Sequence, residues 1–359
     1  MKSIRDLGEK QFIRQALSRY ALTARLDALD DCVVLDPERV FGAPGLPCVV
    51  YSMDHPSPID RPLPDGMHWR YFGRWVAACV ANDVLAMGAR PQGFALDLAM
   101  PADTELTTVN EFYEGLHDVL DEYGAQIEGG NIDINRNIEM VGMCWGTVTP
   151  EGIIRRRGAR PGDRVAVTTE LGVGWASYVL RKRGLFDELD PATRAELEEY
   201  NLLPLAPHRA IIEAVRREPG AITSGMDMSD GLVEFLYTIG ETNGLGAALD
   251  EGLFPVPPVL AESAKLLDVP PALLALEFGF DMPRSHGYTV DPACWDAVAE
   301  IFATAGTPLF PIGTVTTERR VVLNHSSGKV SELPQFWDDK CDRDDVIERW
   351  EGLVTRLRS

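Results

Sequence analysis

Two hydrophobic periods alternate along the chain. Near the start, Ile4, Leu7, Phe12, Ile13, Leu17 and Tyr20 recur close to helical spacing, which predicts an amphipathic helix reaching to about Leu29. CVVL (Cys32–Leu35) and PCVVYSMD (Pro47–Asp54) are short apolar runs rich in β-branched residues, and predict strands. Helical period returns from Trp69 to Met87 in WRYFGRWVAACVANDVLAMG and stops at Gly88, a residue type that caps helix C-termini. A strand over Gly93–Met100, an amphipathic helix over Val109–Tyr123 closed by Gly124, and a strand over Ile138–Val148 complete this half.

At Arg155 the pattern changes. RRRGARPGDRVAVTTELG places turn chemistry before a new strand, Arg164–Thr168, and a domain boundary is expected just ahead of it. That gives an N-terminal domain over residues 1–150 and a C-terminal domain over 151–323. The second half reads as helices over Trp175–Arg183, His208–Arg217 and Cys294–Ala305, a strand over Ala247–Leu249 and a Pro-rich loop over Phe254–Pro258. Residues 324–359 read as an acidic appendage with one short helix, Asp344–Leu357. Two halves that each mix strands with helices predict a pair of α/β domains. Trp145 and Trp175 are expected in the core.

Composition narrows the setting. Of 359 residues, 45% are hydrophobic and 25% charged, as in a globular protein with a sizeable core. The net charge of −21 leaves no broad basic surface, so nucleic acid and anionic membranes are not expected partners. The acidic runs Glu196–Glu199 and Asp338–Asp345 look solvated. The six cysteines are scattered without a CxxC pair, which argues against the usual zinc spacings and for a reducing cytoplasm. No stretch of ~18 apolar residues predicts a membrane span.

The acids are not randomly placed. Aspartates stand at or near strand ends and helix starts in LDDCVVL (Asp30, Asp31), YSMD (Asp54), CVANDVLAMG (Asp83), IEGGNID (Asp133) and GMDMSDGL (Asp227, Asp230). An aspartate in such a place commonly caps a helix or makes a turn. Asp83 differs, because it sits inside a helix of apolar and small residues where an isolated carboxylate is costly to bury. Either it lies on an exposed edge or a cation compensates it. If a helix starts near Ser229, Asp227 and Asp230 can face one point at its N-terminus, beside the Ser229 hydroxyl and free amides. Such a pair serves as a cap, or as a place for a hard divalent cation that bridges phosphate oxygens. IEGGNIDINRN (Ile127–Asn137) also admits two readings: paired glycines form a tight turn, or they bring the backbone close to a ligand.

In their order and near their separations, DDCVVL, YSMD, NDVLAMGARP, EGGN, RRRGARPGD and DMSDGL resemble thiamine-monophosphate kinase. That enzyme belongs to a PurM-like, ATP-using superfamily with aminoimidazole ribonucleotide synthetase, selenophosphate synthetase and the hydrogenase-maturation carbamoyl dehydratase. The match runs from roughly Asp30 to Asp250, and NDVLAMGARP and DMSDGL are its most specific pieces. The resemblance implies a two-domain α/β fold whose N-terminal halves pair in a homodimer, with ATP near that interface. It implies Mg²⁺ ligation by Asp31, Ser52, Asp54, Asp83, Asp227 and Asp230, the last two acting as the catalytic pair. It further implies phosphate contacts from Gly129, Gly130 and Ser229, and an ATP-binding role for Arg156.

Two departures stand out. The family follows its paired glycines with a metal-ligating aspartate, but this chain has Asn131, whose amide can coordinate without bringing charge; Asp133 is a substitute. The family's Gly-Gly-Glu-Asp-Tyr-Glu segment corresponds to EFGFDMPRSHGYTV, with Phe278 and Phe280 at the first Gly and the Glu, and Gly279 and Asp281 kept. The loop after Asp54, HPSPIDRPLPDGMHW, is also unusual. A retained nucleotide half with a rewritten acceptor half points to a phosphotransferase on a small polar acceptor other than thiamine monophosphate. His55, Arg61, Arg284 and His286 are the candidates to meet an anionic acceptor, against the plainer role of surface residues. The alternatives are an ATP-dependent amide- or carbamoyl-activating enzyme, or a non-catalytic nucleotide-binding subunit. The chain ends VTRLRS without the C-terminal cysteine of the carbamoyl dehydratase, and its first cysteine, Cys32, falls in a predicted strand, which disfavours selenophosphate synthesis.

Overall fold

The computed structural model describes residues 30–56, 69–202, 204–277, 279–280, 283–335 and 346–358. The helix expected up to Leu29, Arg61, and most of the loop after Asp54 lie outside these residues, as do Phe278 and Asp281.

The first half builds one mixed sheet from β1 (Val33–Leu35), β2 (Cys48–Asp54), β3 (Arg90–Met100), β4 (Gln126–Ile134) and β5 (Glu139–Val148), in the order β1-β2-β5-β3-β4. Only β3 and β4 run parallel. Period-two alternation puts Cys48, Val50, Met140, Cys144, Phe94, Leu96 and Leu98 on one face, where they are buried. That face is covered by α1 (Trp69–Ala86) and α2 (Leu106–Tyr123). Gly73 and Gly115 lie where these helices meet, and a Cβ at either would collide with the other helix's backbone.

The second half contributes β6 (Arg164–Val167), β7 (Ile222–Asp227), β8 (Gly246–Asp250), β9 (His286–Val290), β10 (Phe310–Thr316), β11 (Val321–Asn324) and β12 (Val330–Glu332). They form a second sheet, β12-β11-β8-β10-β6-β9-β7. On one of its faces lie α3 (Val173–Lys182), α6 (Leu232–Asn243), α7 (Pro258–Leu267) and α9 (Val346–Arg358), around a core that holds Trp175, Phe235, Leu260 and Trp350. Its other face meets α5 (His208–Arg217) and α8 (Trp295–Thr304), and through them α1 and α2 of the first half. One core therefore runs continuously between the two sheets. This explains why α1 is apolar nearly all round, since it is buried against both halves.

Several expectations change. The segment read as an acidic appendage supplies β12 and, as α9, the short helix expected there, but Val346, Trp350, Leu353, Val354 and Leu357 are buried in the second core. The helix after Asp230 starts at Leu232, because Met228 to Gly231 form a turn closed by a Gly231 N–H to Met228 carbonyl bond. Trp175 is fully buried, whereas Trp145 is half-buried on the open face of the first sheet and donates its indole N–H to Glu128 at 2.8 Å. The strand β9 and the helix α4 (Pro191–Leu202) were not foreseen. In α4 the acidic run is interrupted by the fully buried Leu197.

Candidate active site

The acids converge where β2, α1, β7 and the segment before β1 meet. Ser52 on β2 donates its hydroxyl to Asp83 Oδ2 on α1 at 2.5 Å. One residue earlier on α1, Asn82 donates Nδ2–H to Asp227 Oδ2 at 3.3 Å. The Asp227 backbone N–H in turn donates to Asp31 Oδ2 at 3.3 Å. Arg156 closes the set: its Nε–H donates to Asp31 Oδ1 at 3.0 Å, and Nη2 makes a second contact with the same oxygen. Beside it, Asp30 accepts from the Arg156 backbone N–H at 3.0 Å and from Arg155 Nη1 at 2.7 Å. The arginine run after the boundary is thus bound to the paired aspartates before β1. Ser229, at the turn after β7, bonds Asp227 with its hydroxyl. Asp230 lies half-buried in that turn, and Asp54 is exposed at the end of β2.

Burial sets the electrostatics. It raises the Asp31 pKa, while Arg156 opposes the rise. Burial pushes Asp83 well above the usual carboxylate range, and the neighbouring Asp227 and Asp31 charges add to this. Asp227 is pushed up to about 7 by burial and by Asp31. Burial works against the Arg156 charge, yet the Asp31 carboxylate outweighs it and the arginine pKa rises. Three carboxylates thus crowd round one guanidinium, and without a further cation burial and mutual repulsion favour the protonated forms of Asp83 and Asp227. Asn82 Oδ1 is buried in the same cluster with no hydrogen-bond partner. A set of hard oxygens, with more acids than cations and an orphaned amide oxygen, suits Mg²⁺, which would displace the protons. Among the described residues, no three His, Cys, Asp or Glu side chains stand together as a ready-made metal cage.

The glycine-rich stretch is not a turn at a strand end. Gly129 and Gly130 lie inside β4, the edge strand, of which every residue except Ile127 is exposed. Pairing with β3 slips between Phe94 and Ala95, which face Ile127 and Gly129, so Glu128 is the extra residue of a bulge. Gly130 has φ 151°, and a Cβ there would run into the Leu96 carbonyl; at Gly129 a Cβ would meet nothing. Asn131 is exposed and donates Nδ2–H to Asp97 Oδ1 of β3 at 3.1 Å, while Asp133 accepts from the Ile134 N–H.

The acceptor-side candidates among the described residues, His55, Arg284 and His286, do not gather. His55 is exposed, and its backbone N–H binds Asp54 at 2.7 Å. His286 is fully buried on β9, with Nε2 3.3 Å from the Asn82 carbonyl. Burial lowers its pKa to about 4, so it is a neutral wall of the acid cluster and not a cation for an acceptor. Arg284 lies with its guanidinium 4.4 Å from the Tyr200 ring, in a different cavity. Two residues escaped the sequence reading, Asn82 and Asp97, while Asp30 was noted there only as an acid near a strand start. Asn82 and Asp97 each carry a visible signal, a polar side chain inside an apolar helix or strand.

Comparison with known proteins agrees with this architecture. Residues 29–148 match the AIR synthase related protein N-terminal domain, and residues 160–326 match its C-terminal domain. The thiamine-monophosphate kinase of Synechococcus elongatus is 29% identical over 262 residues, covering 69% of this chain and 74% of the relative. That of Methanopyrus kandleri is 30% identical over 221 residues, covering 62% and 68%. A solved structure, AaThiL complexed with AMPPCP and TMP, shares the fold with a TM-score of 0.76 at 22% identity, over 94% of this chain and 98% of that one. The chain belongs to the AIR synthase related family, within its thiamine-monophosphate kinase branch of ATP-dependent phosphotransferases.

Proposed function

We propose that this protein transfers the γ-phosphoryl group of ATP to a small polar acceptor with the help of Mg²⁺. The observation that carries the reading is the cluster of Asp31, Asp83 and Asp227 around a single arginine, joined through Ser52, Asn82 and the Asp227 amide. Asp54, Asp83, Asp227 and Asp230 are the residues to hold the metal, which supplies charge neutralisation for the triphosphate. Arg156 offsets part of the burial cost of the Asp31 carboxylate and fixes it beside the Asp227 backbone. Ser229, exposed at the turn after β7, and Gly129, open to solvent on β4, are positioned to approach phosphate oxygens.

The relatives' shared name makes thiamine monophosphate the first acceptor to test. The earlier case for a different acceptor is weakened, because His286 is withdrawn into the protein and Arg284 faces another cavity. The altered residues around Phe280 remain its ground. Phe280 packs on Trp175 and Tyr178, with centroids 4.8 and 4.3 Å apart, and so serves the core. A homodimer is part of the proposal, since the open face of the first sheet and its edge leave Met53, Ile132 and Ile134 63–73% exposed. A cytoplasmic setting fits the free thiols of the described cysteines. No described helix is long and apolar enough to cross a membrane.

The test is ADP release from ATP and Mg²⁺, with and without thiamine monophosphate, beside Asp227→Asn. Release that requires thiamine monophosphate and disappears in the variant supports the reading with that acceptor. Slow, Asp227-dependent release that ignores thiamine monophosphate supports a different acceptor. ATP binding without ADP formation, across phosphorylated and amide-bearing acceptors, would overturn phosphotransfer.

A further inference from the structure

A second concave site lies on the same end of the second sheet. It is a cavity of about 370 Å³ between the residues that follow β6, the residues that precede β10, and the start of α5. Thr169, Glu170, Arg209, Arg284 and Thr307 are among the residues that line it. A wall separates it from the acid cluster. Thr168 Oγ1 accepts from the His286 backbone N–H at 2.9 Å and donates to the Arg284 carbonyl at 3.3 Å, and His286 pairs across the sheet with Asp227. The cavity therefore stands two strands from Asp227, about 10 Å away at ordinary strand spacing.

Its chemistry is the opposite of the acid cluster's. Arg284 is held in place by the Tyr200 ring beneath its guanidinium. The start of α5 adds the positive end of a helix whose N-cap, Pro207, offers no side-chain cap to its first amides. Arg209, at the rim, has Glu122 as its partner at 3.1 Å. Against these, the lining contains one carboxylate, Glu170. Two hydroxyl side chains line it as well. Thr307 Oγ1 is buried without a hydrogen-bond partner, and Thr169 is 9% exposed. A buried hydroxyl without a partner, as at Thr307, is uncommon and costly unless something binds it.

We propose that this cavity binds a small oxyanion, a carboxylate or phosphate group, through Arg284, the first turn of α5 and the hydroxyls of Thr169 and Thr307. The proposal rests on the cavity alone and needs neither ATP nor metal. It is tested by calorimetric titration of the full chain with inorganic phosphate and, separately, with succinate, in EDTA and without nucleotide. The expected result is saturable binding of at least one of them. Affinity should fall roughly tenfold in Arg284→Gln and several-fold in Thr307→Val, and hold in Asp227→Asn. Tighter phosphate binding would assign the site to a phosphate ester, and tighter succinate binding to a carboxylate. No saturation up to roughly 20 mM of either anion would overturn the proposal, as would undiminished binding in Arg284→Gln or loss in Asp227→Asn. Should Arg284→Gln fail to fold, Thr169→Val and Thr307→Val decide, and unchanged affinity in both would overturn it.

Discussion

Asp227 lies at the centre of the acid cluster, and its raised pKa makes a stability prediction. An aspartate whose folded pKa is raised holds its proton more tightly folded than unfolded. In metal-free buffer its contribution therefore declines as pH climbs from the ordinary value of roughly 4 towards about 7. Asp227→Asn should melt higher than the parent at pH 8 in EDTA, by roughly 1–3 kcal/mol of stability, with little difference at pH 4. Thermal scans at the two pH values check this, and a less stable variant at pH 8 would contradict it. Mg²⁺ should stabilise the parent more at pH 8 than at pH 5. Arg156 behaves in the opposite sense. Arg156→Gln leaves Asp31, with a side chain 2% exposed, without its cation and should lower stability by about 3 kcal/mol. Adding Asp31→Asn should recover part of that loss in denaturant titrations. Asp83 is legible in the sequence because a carboxylate in an apolar helix demands an explanation. The pairing of Arg156 with Asp31, across 125 positions, is not legible, because no local pattern links them.

At the scale of elements, the two glycines of β4 separate into different roles. Gly130→Ala should weaken the β3–β4 pairing by roughly 2 kcal/mol or more, since its backbone is left-handed and its Cβ would strike Leu96. Gly129→Ala should leave stability within about 0.5 kcal/mol, because nothing stands in its way. If Gly129→Ala nevertheless weakens ATP binding, the glycine serves the ligand and not the fold. Melting curves and nucleotide titrations of the two variants distinguish these roles. Sequence reading placed the pair at a strand end because glycines punctuate strands, but here the bulge at Glu128 lets the strand continue through them. The helix α9 was expected close to its place, but not its burial. Its acidic flank suggests a solvated tail, yet Trp350 stacks edge-on against Trp175 and donates its indole N–H to the Leu273 carbonyl at 3.2 Å. Trp350→Ala should cost about 3–5 kcal/mol, measurable by denaturant unfolding.

For the molecule as a whole, α1 is the keystone. It packs under the first sheet, touches β7 of the second, and carries Asn82 and Asp83 to the seam between them. The candidate active site is therefore assembled by the docking of the two halves. The proposed dimer is tested on the open face of the first sheet. Met53→Glu and Ile132→Glu should each shift the protein from dimer to monomer in light scattering, as charges introduced into an apolar contact. A parent that is already monomeric at micromolar concentration would remove the dimer from the proposal.

The sequence by itself determined the elements with strong periodicity, α1, α2 and α5 among them, and the motifs whose residue types already imply a hard-cation and phosphate site. These are local properties: period, capping glycines, and carboxylates at element ends. Only the tertiary structure decided which charges face each other, that His286 is buried and neutral, that Arg284 belongs to another cavity, and that the C-terminal segment is core. Those outcomes depend on how far burial strips water from each group and on which distant strand it meets, and neither is written in the spacing of residues along the chain.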